Sequence, residues 1–185
     1  MKNLYPVFIS FLLIFSCQNK KGSTKELTSS DTLMVTTEFK DDSNEEVTAI
    51  DTEDAIRWLT EVIETHLNEG GYPMEDICTP AYYEYKLDAV QVGYDGGLTG
   101  EEFNKKWSDK YNVKYAGLGT GFLISAQDWN KIKVTSCTPK SDSETLSLLL
   151  KVTMVDIELK DSFQRDIKIV PVGKAYLIDD VVEYN

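Results

Sequence analysis

The chain has 185 residues and a formal charge of −12, with 42% hydrophobic and 11% aromatic residues. That length suits one domain with a real core, and the hydrophobic content excludes a disordered chain. The negative charge repels phosphate backbones, so nucleic acid is not expected as a partner.

Lys2 opens the chain, and residues 4–15 are apolar apart from Pro6 and Ser10. The run is too short to span a bilayer, which takes about 20 apolar residues. It suits the hydrophobic stretch of a secretory signal. It ends in "IFSC", residues 14–17, which resembles a bacterial lipobox: aliphatic Ile14, a small Ser16, then Cys17. The resemblance implies cleavage before Cys17 and attachment of a diacylglyceryl group to its sulfur. Phe15 departs from the small residue usual there. Gln18, where an Asp commonly retains lipoproteins at the inner membrane, implies the outer membrane of a bacterial envelope.

The expected organisation is a signal peptide over 1–16, an acylated cysteine and polar tether over 17–50, and one domain over 51–185. The tether composition, including "DDSNEE", has no core-forming pattern. "TLMVTTEF" (32–39) inside it has the composition of a short edge strand.

The domain opens with a helix over 51–67, whose stripe is Ala55, Ile56, Leu59, Val62, Ile63 and Leu67. A second helix is expected from Pro80 to Val90, capped by Thr79, with Tyr83, Leu87 and Val90 sharing a face. A third runs from Gly100 to about Tyr111, opened by a capping box of Thr99 and Glu102. After Val113 the period becomes alternating. Strands are expected at 121–126, 131–137, 145–157, 166–172 and 174–184, the long third one with a bend or bulge. Helices followed by an antiparallel meander predict an α+β fold with the helices packed on one face of a curved sheet.

Three stretches carry a family likeness: "LTGEEFNKKWSDKY", "GTGFLISAQDWNKIKV" and "AYLIDDVV". Over 51–185 the chain resembles small Gram-negative envelope lipoproteins with a nuclear-transport-factor-like, cystatin-type cone domain of unknown function. The resemblance implies a cone-shaped α+β fold and an envelope address, with no reaction attached.

Candidate chemistry is sparse. "QVGYDGGLTGEE" (91–102) partly imitates a calcium loop, but Gln91 and Gly93 stand where carboxylates are needed, so no metal site is expected. "GLGTG" (117–121) lacks a following Lys-Ser/Thr pair and reads as a bend before a strand. The single histidine, His66, excludes a multi-histidine zinc site and reads as a helix C-terminal residue. No cofactor motif is present and no cofactor is expected. Cys78 and Cys137 sit in a compartment that can oxidise thiols, so they are either a disulfide or two buried thiols.

Asp179 and Asp180 point to opposite faces of a strand unless a bulge intervenes. One of them could act as an acid or base beside a tyrosine such as Tyr82. Tyr82, Tyr85, Trp107 and Asp179 are therefore the candidate pocket residues, against a reading in which the rings are core. The leading expectation is a membrane-tethered, non-catalytic binding module for a protein or small molecule. The alternatives are a small cone-cavity hydrolase or isomerase using Asp and Tyr, and an envelope immunity or inhibitor protein.

Overall fold

The computed structural model describes residues 50–126, 128–141 and 146–184. Cys17, expected to be acylated, the expected signal segment, residues 17–49 of the expected tether and the candidate edge strand 32–39 lie outside the described residues.

Four helices come first: α1 (Thr52–Glu69), α2 (Met74–Ile77), α3 (Pro80–Gln91) and α4 (Gly100–Trp107). A 3-10 turn, Val113–Tyr115, precedes four strands: β1 (Ile132–Pro139), β2 (Leu148–Asp156), β3 (Ser162–Val172) and β4 (Ala175–Tyr184). The strands form one antiparallel sheet in the order β1-β2-β3-β4.

Local signals start the helices as the sequence indicates, but α4 stops at Trp107, short of the Tyr111 expected. The Asp51 carboxylate accepts the amides of Glu53 and Asp54, and Gly70 ends α1 in the left-handed region at φ 64°. Thr79 caps α3 with Pro80 behind it. Thr99 and Glu102 close the capping box of α4 in both directions.

α1 lies against β1, and α2 and α3 lie against β4. Ala55, Leu59, Val62, Ile63 and Leu67 of α1 are buried. Alternation turns Leu148, Leu150, Val152 and Met154 of β2 inward, with Ile167, Ile169, Ile178 and Val181 beside them. Leu146, which alternation over the expected strand 145–157 would add to that row, lies before β2 and is exposed.

Three expectations are corrected. Residues 121–126 are not a strand: Leu123 takes φ 68°, a left-handed conformation that breaks extension, and its carbonyl is spent on an arginine side chain. α3 turns Tyr82, Tyr85, Lys86 and Ala89 inward, not Tyr83, Leu87 and Val90. β2 pairs with β3 without a register shift. The irregularities fall instead at Val134/Ser136 in β1 and between Lys168 and Ile169 of β3, where Asp179 of β4 is the extra residue.

Both sheet edges are occupied. Asn68 of α1 accepts the Ile132 amide at 2.8 Å and donates to its carbonyl at 2.9 Å, while Glu64 accepts the Val134 amide at 2.9 Å. Helix side chains thus stand in for a neighbouring strand, and Pro139 at the far end of β1 has no N–H to offer. At the other edge, Cys78 bridges to Ile178, and the Thr79 amide donates to the Ile178 carbonyl at 2.8 Å.

Candidate functional site

Beneath α3, one lysine, one arginine and one glutamate share the interior. Lys86 is 0% exposed and Arg165 is 1% exposed, and Glu183 is buried with them. The sheet register sets Arg165 directly opposite Glu183, on the inward phase of β3 and β4.

Lys86 Nζ donates to Glu183 Oε1, to the Ala116 carbonyl at 3.0 Å and to the Gly117 carbonyl at 3.3 Å, which uses all three ammonium protons. Arg165 donates from Nε to Leu123 O at 2.9 Å, from Nη1 to Gln164 O and Tyr184 O, and from Nη2 to Ser125 Oγ at 2.7 Å. The Ser125 hydroxyl donates to Glu183 Oε2 at 3.3 Å, and Thr120 Oγ1 lies 3.5 Å from the same oxygen.

Burial pulls both cations below their ordinary pKa values, and the Glu183 carboxylate opposes that pull. The cluster therefore binds its own loop, residues 116–125, to the sheet. Gly117, at φ 61°, has no room for a side chain: a Cβ there would lie 2.3 Å from Glu183 Oε2. "GLGTG" accordingly seats a carboxylate of the same chain and precedes no strand.

Sequence reasoning missed this triad because alternation arguments assign charges to the solvent face. The signal was present in the phase. Glu183 follows the inward Val181 by two, Arg165 precedes the inward Ile167 by two, and Lys86 lies four after Tyr82 and three before Ala89.

The candidate pocket residues come together in part. Tyr85 packs on Tyr82, Phe103, Trp107 and Tyr111, and Tyr82 also meets Phe122. Tyr82, Tyr85 and Trp107 are all buried, so their rings fill the space between α3, α4 and β4. The Trp107 indole N–H donates to Asp88 at 2.8 Å, and Lys106 joins Asp88 and Glu84.

Asp179 sits beside this cluster at the bulge. Its carboxylate accepts the Thr79 hydroxyl at 3.0 Å and faces Lys168 Nζ at 3.4 Å. Asp180 is half-buried. Burial pushes its carboxyl up to about 6; the Val181 amide resists that rise and the Asp179 charge adds to it. Burial also raises the hydroxyls of Tyr85 and Tyr111, with the Asp180 charge next for Tyr85 and the Asp179 charge next for Tyr111. The buried Tyr111 hydroxyl has no hydrogen-bond partner among the described residues.

Cys78 and Cys137 are both free thiols. Cys137 lies on β1, whereas Cys78 lies beyond β4, four ladder steps away across the sheet. At about 4.8 Å per step that is about 19 Å, well past the reach of a disulfide. The expected bridge is replaced by the two-thiol alternative, and burial holds Cys137 at about 11.

The 91–102 segment is a turn in which Gly93 and Gly96 both take φ 83°, and Glu102 is spent on the capping box. Among the described residues no group of three or more His, Cys, Asp or Glu is placed to hold a metal ion. His66 Nδ1 bonds the Tyr72 carbonyl at 2.6 Å, and its ring edge meets Phe122. Among the described residues no helix is long and apolar enough to cross a membrane. No family model, curated protein or solved structure matches the chain.

Proposed function

We propose that this chain is a lipid-anchored bacterial envelope protein, held through Cys17, whose α+β domain is of the cystatin-like cone type and acts by binding a partner, not by catalysis. One observation carries the non-catalytic reading. The side chains that would line a cone cavity, Tyr82, Tyr85, Lys86 and Arg165, are buried, and they meet rings and polar groups of their own chain. The lipobox-like "IFSC" and the polar stretch after it support the address, with the outer membrane as its site.

The experiment has two arms on the full chain. Metabolic labelling with an alkyne fatty acid is expected to mark the wild type and to be lost in Cys17→Ala; label that survives the substitution would refute the anchor. Pull-down from envelope extract, with mass spectrometry of proteins and small ligands, is expected to recover a partner above control. Recovery of nothing counts against the binding reading.

One observation favours the hydrolase or isomerase alternative: the Asp180 carboxyl, raised to about 6, near the hydroxyls of Tyr85 and Tyr111. Turnover of an ester or ketosteroid panel by the wild type, lost in Asp180→Asn, would establish that reading instead.

A further inference from the structure

The face of α3 that the apolar pattern marks for the core is turned outward. Tyr83, Leu87 and Val90 are spaced i, i+4, i+7 and lie along one side of the helix. Leu87 is 38% exposed, and Tyr83 and Val90 are half-buried. The turn after α3, closed by the Tyr94 amide on the Gln91 carbonyl at 3.1 Å, presents Tyr94 at 66% exposure. From Tyr83 to Val90 the helical part of this ridge covers about two turns, roughly 10 Å, and Tyr94 follows in the turn beyond Gln91. Three apolar side chains at helical spacing, with an exposed tyrosine in the turn that follows, offer a footprint to a facing amphipathic segment.

The charges around the ridge are mostly acidic. Glu75 and Asp76 of α2 stand at its start, and the Tyr83 hydroxyl reaches Glu75 Oε2 at 3.4 Å. Glu84 runs beside it, exposed, and Asp95 stands at its end. The cation placed near this border, Lys106, is shared between Glu84 and Asp88, and Lys86 is buried away from it. An anionic lipid surface would be repelled here, and so would a second copy presenting the same acidic ridge. A basic amphipathic segment would place its apolar side chains on Leu87 and Tyr94 and its cations on Glu75, Asp76, Glu84 and Asp95.

We infer that the Tyr83–Leu87–Val90–Tyr94 ridge is the docking surface for a partner segment that is apolar on one side and Lys/Arg-rich on the other. The inference rests on the binding reading above and names its site and the chemistry of its partner.

The test uses the full chain and a synthetic probe: a fluorescent Leu/Lys amphipathic helix of about 18 residues, roughly five turns. A twin peptide carries Glu for Lys. The basic peptide is expected to bind, with affinity falling as salt rises, and the acidic twin is not. Leu87→Gln with Tyr94→Gln keeps every charge and is expected to weaken binding about tenfold or more, as truncating central apolar anchors does. Glu84→Lys is expected to weaken it too. Circular dichroism confirms that each variant is folded; these positions are exposed and leave the core intact.

Binding that survives the double glutamine variant is mere charge attraction and overturns the proposal. So does equal binding of both peptides, or a dimer of the chain alone that Leu87→Gln disperses. In the envelope pull-down, a partner retained by the double variant removes this surface but leaves the binding reading standing. Loss of that partner in the variant supports both.

Discussion

Asp180 follows the bulged Asp179 on β4, and its half-buried carboxyl titrates near 6 against an ordinary 3.8. The sign of the consequence is definite. Between about pH 4 and pH 6 the folded chain holds a proton that the unfolded chain has released, so this group lowers stability as pH rises through that window. Lys168 and the Val181 amide oppose the rise in pKa, and Asp179 assists it. Asp156, held below its ordinary value chiefly by the Asn130 amide, works in the other direction below about pH 4, as does Glu102. Asp180→Asn should therefore flatten the fall between pH 4 and 6, by about 2 kcal/mol, in urea unfolding followed across pH. An unchanged slope would show that the carboxyl is solvated. Glu183 is the other decisive residue. Glu183→Ala leaves Lys86 and Arg165 buried without their anion and should cost about 3–5 kcal/mol, while Glu183→Gln should cost less by keeping the shape and part of the bonding. Equal losses in thermal denaturation would mean that volume, not charge, matters there. Only the first of these two residues is marked in the sequence. Asp179 and Asp180 were seen as a pair, but the bulge that reconciles them depends on the partner strand. Glu183 gives no such signal because its four partners, Lys86, Thr120, Ser125 and Arg165, are scattered along the chain.

Among the elements, those with one dominant local signal were legible. α1 has an apolar stripe and two caps, α4 has a reciprocal capping box, and β2 alternates through its length. α3 lies within a residue of its expected limits but is turned the other way, because Tyr82 and Tyr85 outcompete Leu87 for the interior by joining the rings of Phe103, Trp107 and Tyr111. Ring-on-ring packing is a tertiary fact with no periodic trace. The segment 121–126 failed as a strand for a similar reason: Arg165 takes the Leu123 carbonyl that a ladder would need. The β1 edge was also invisible, since it is closed by Asn68 and Glu64, residues that read as the solvent face of α1. Asn68→Ala would leave the Ile132 amide and carbonyl without partners and reopen the edge. It should cost about 1–3 kcal/mol and increase light scattering on heating. A variant as stable and as soluble as wild type would show that water serves the edge equally well.

For the molecule as a whole, a four-stranded meander pairs only strands that are neighbours in sequence, and such hairpins close quickly. The bonds that join the helices to the sheet are of another kind. Thr79 meets Asp179 across 100 residues, and Lys86 meets Glu183 across 97. As the chain emerges from the ribosome, α3 can form early, but its lysine has nowhere dry to go until those 97 residues have followed. At an elongation rate of about 5–20 residues per second, that wait is on the order of 5–20 seconds. During it the inward face of α3 stays wet and the domain stays unlocked. A nascent chain kept open in this way locks only once β4 has arrived.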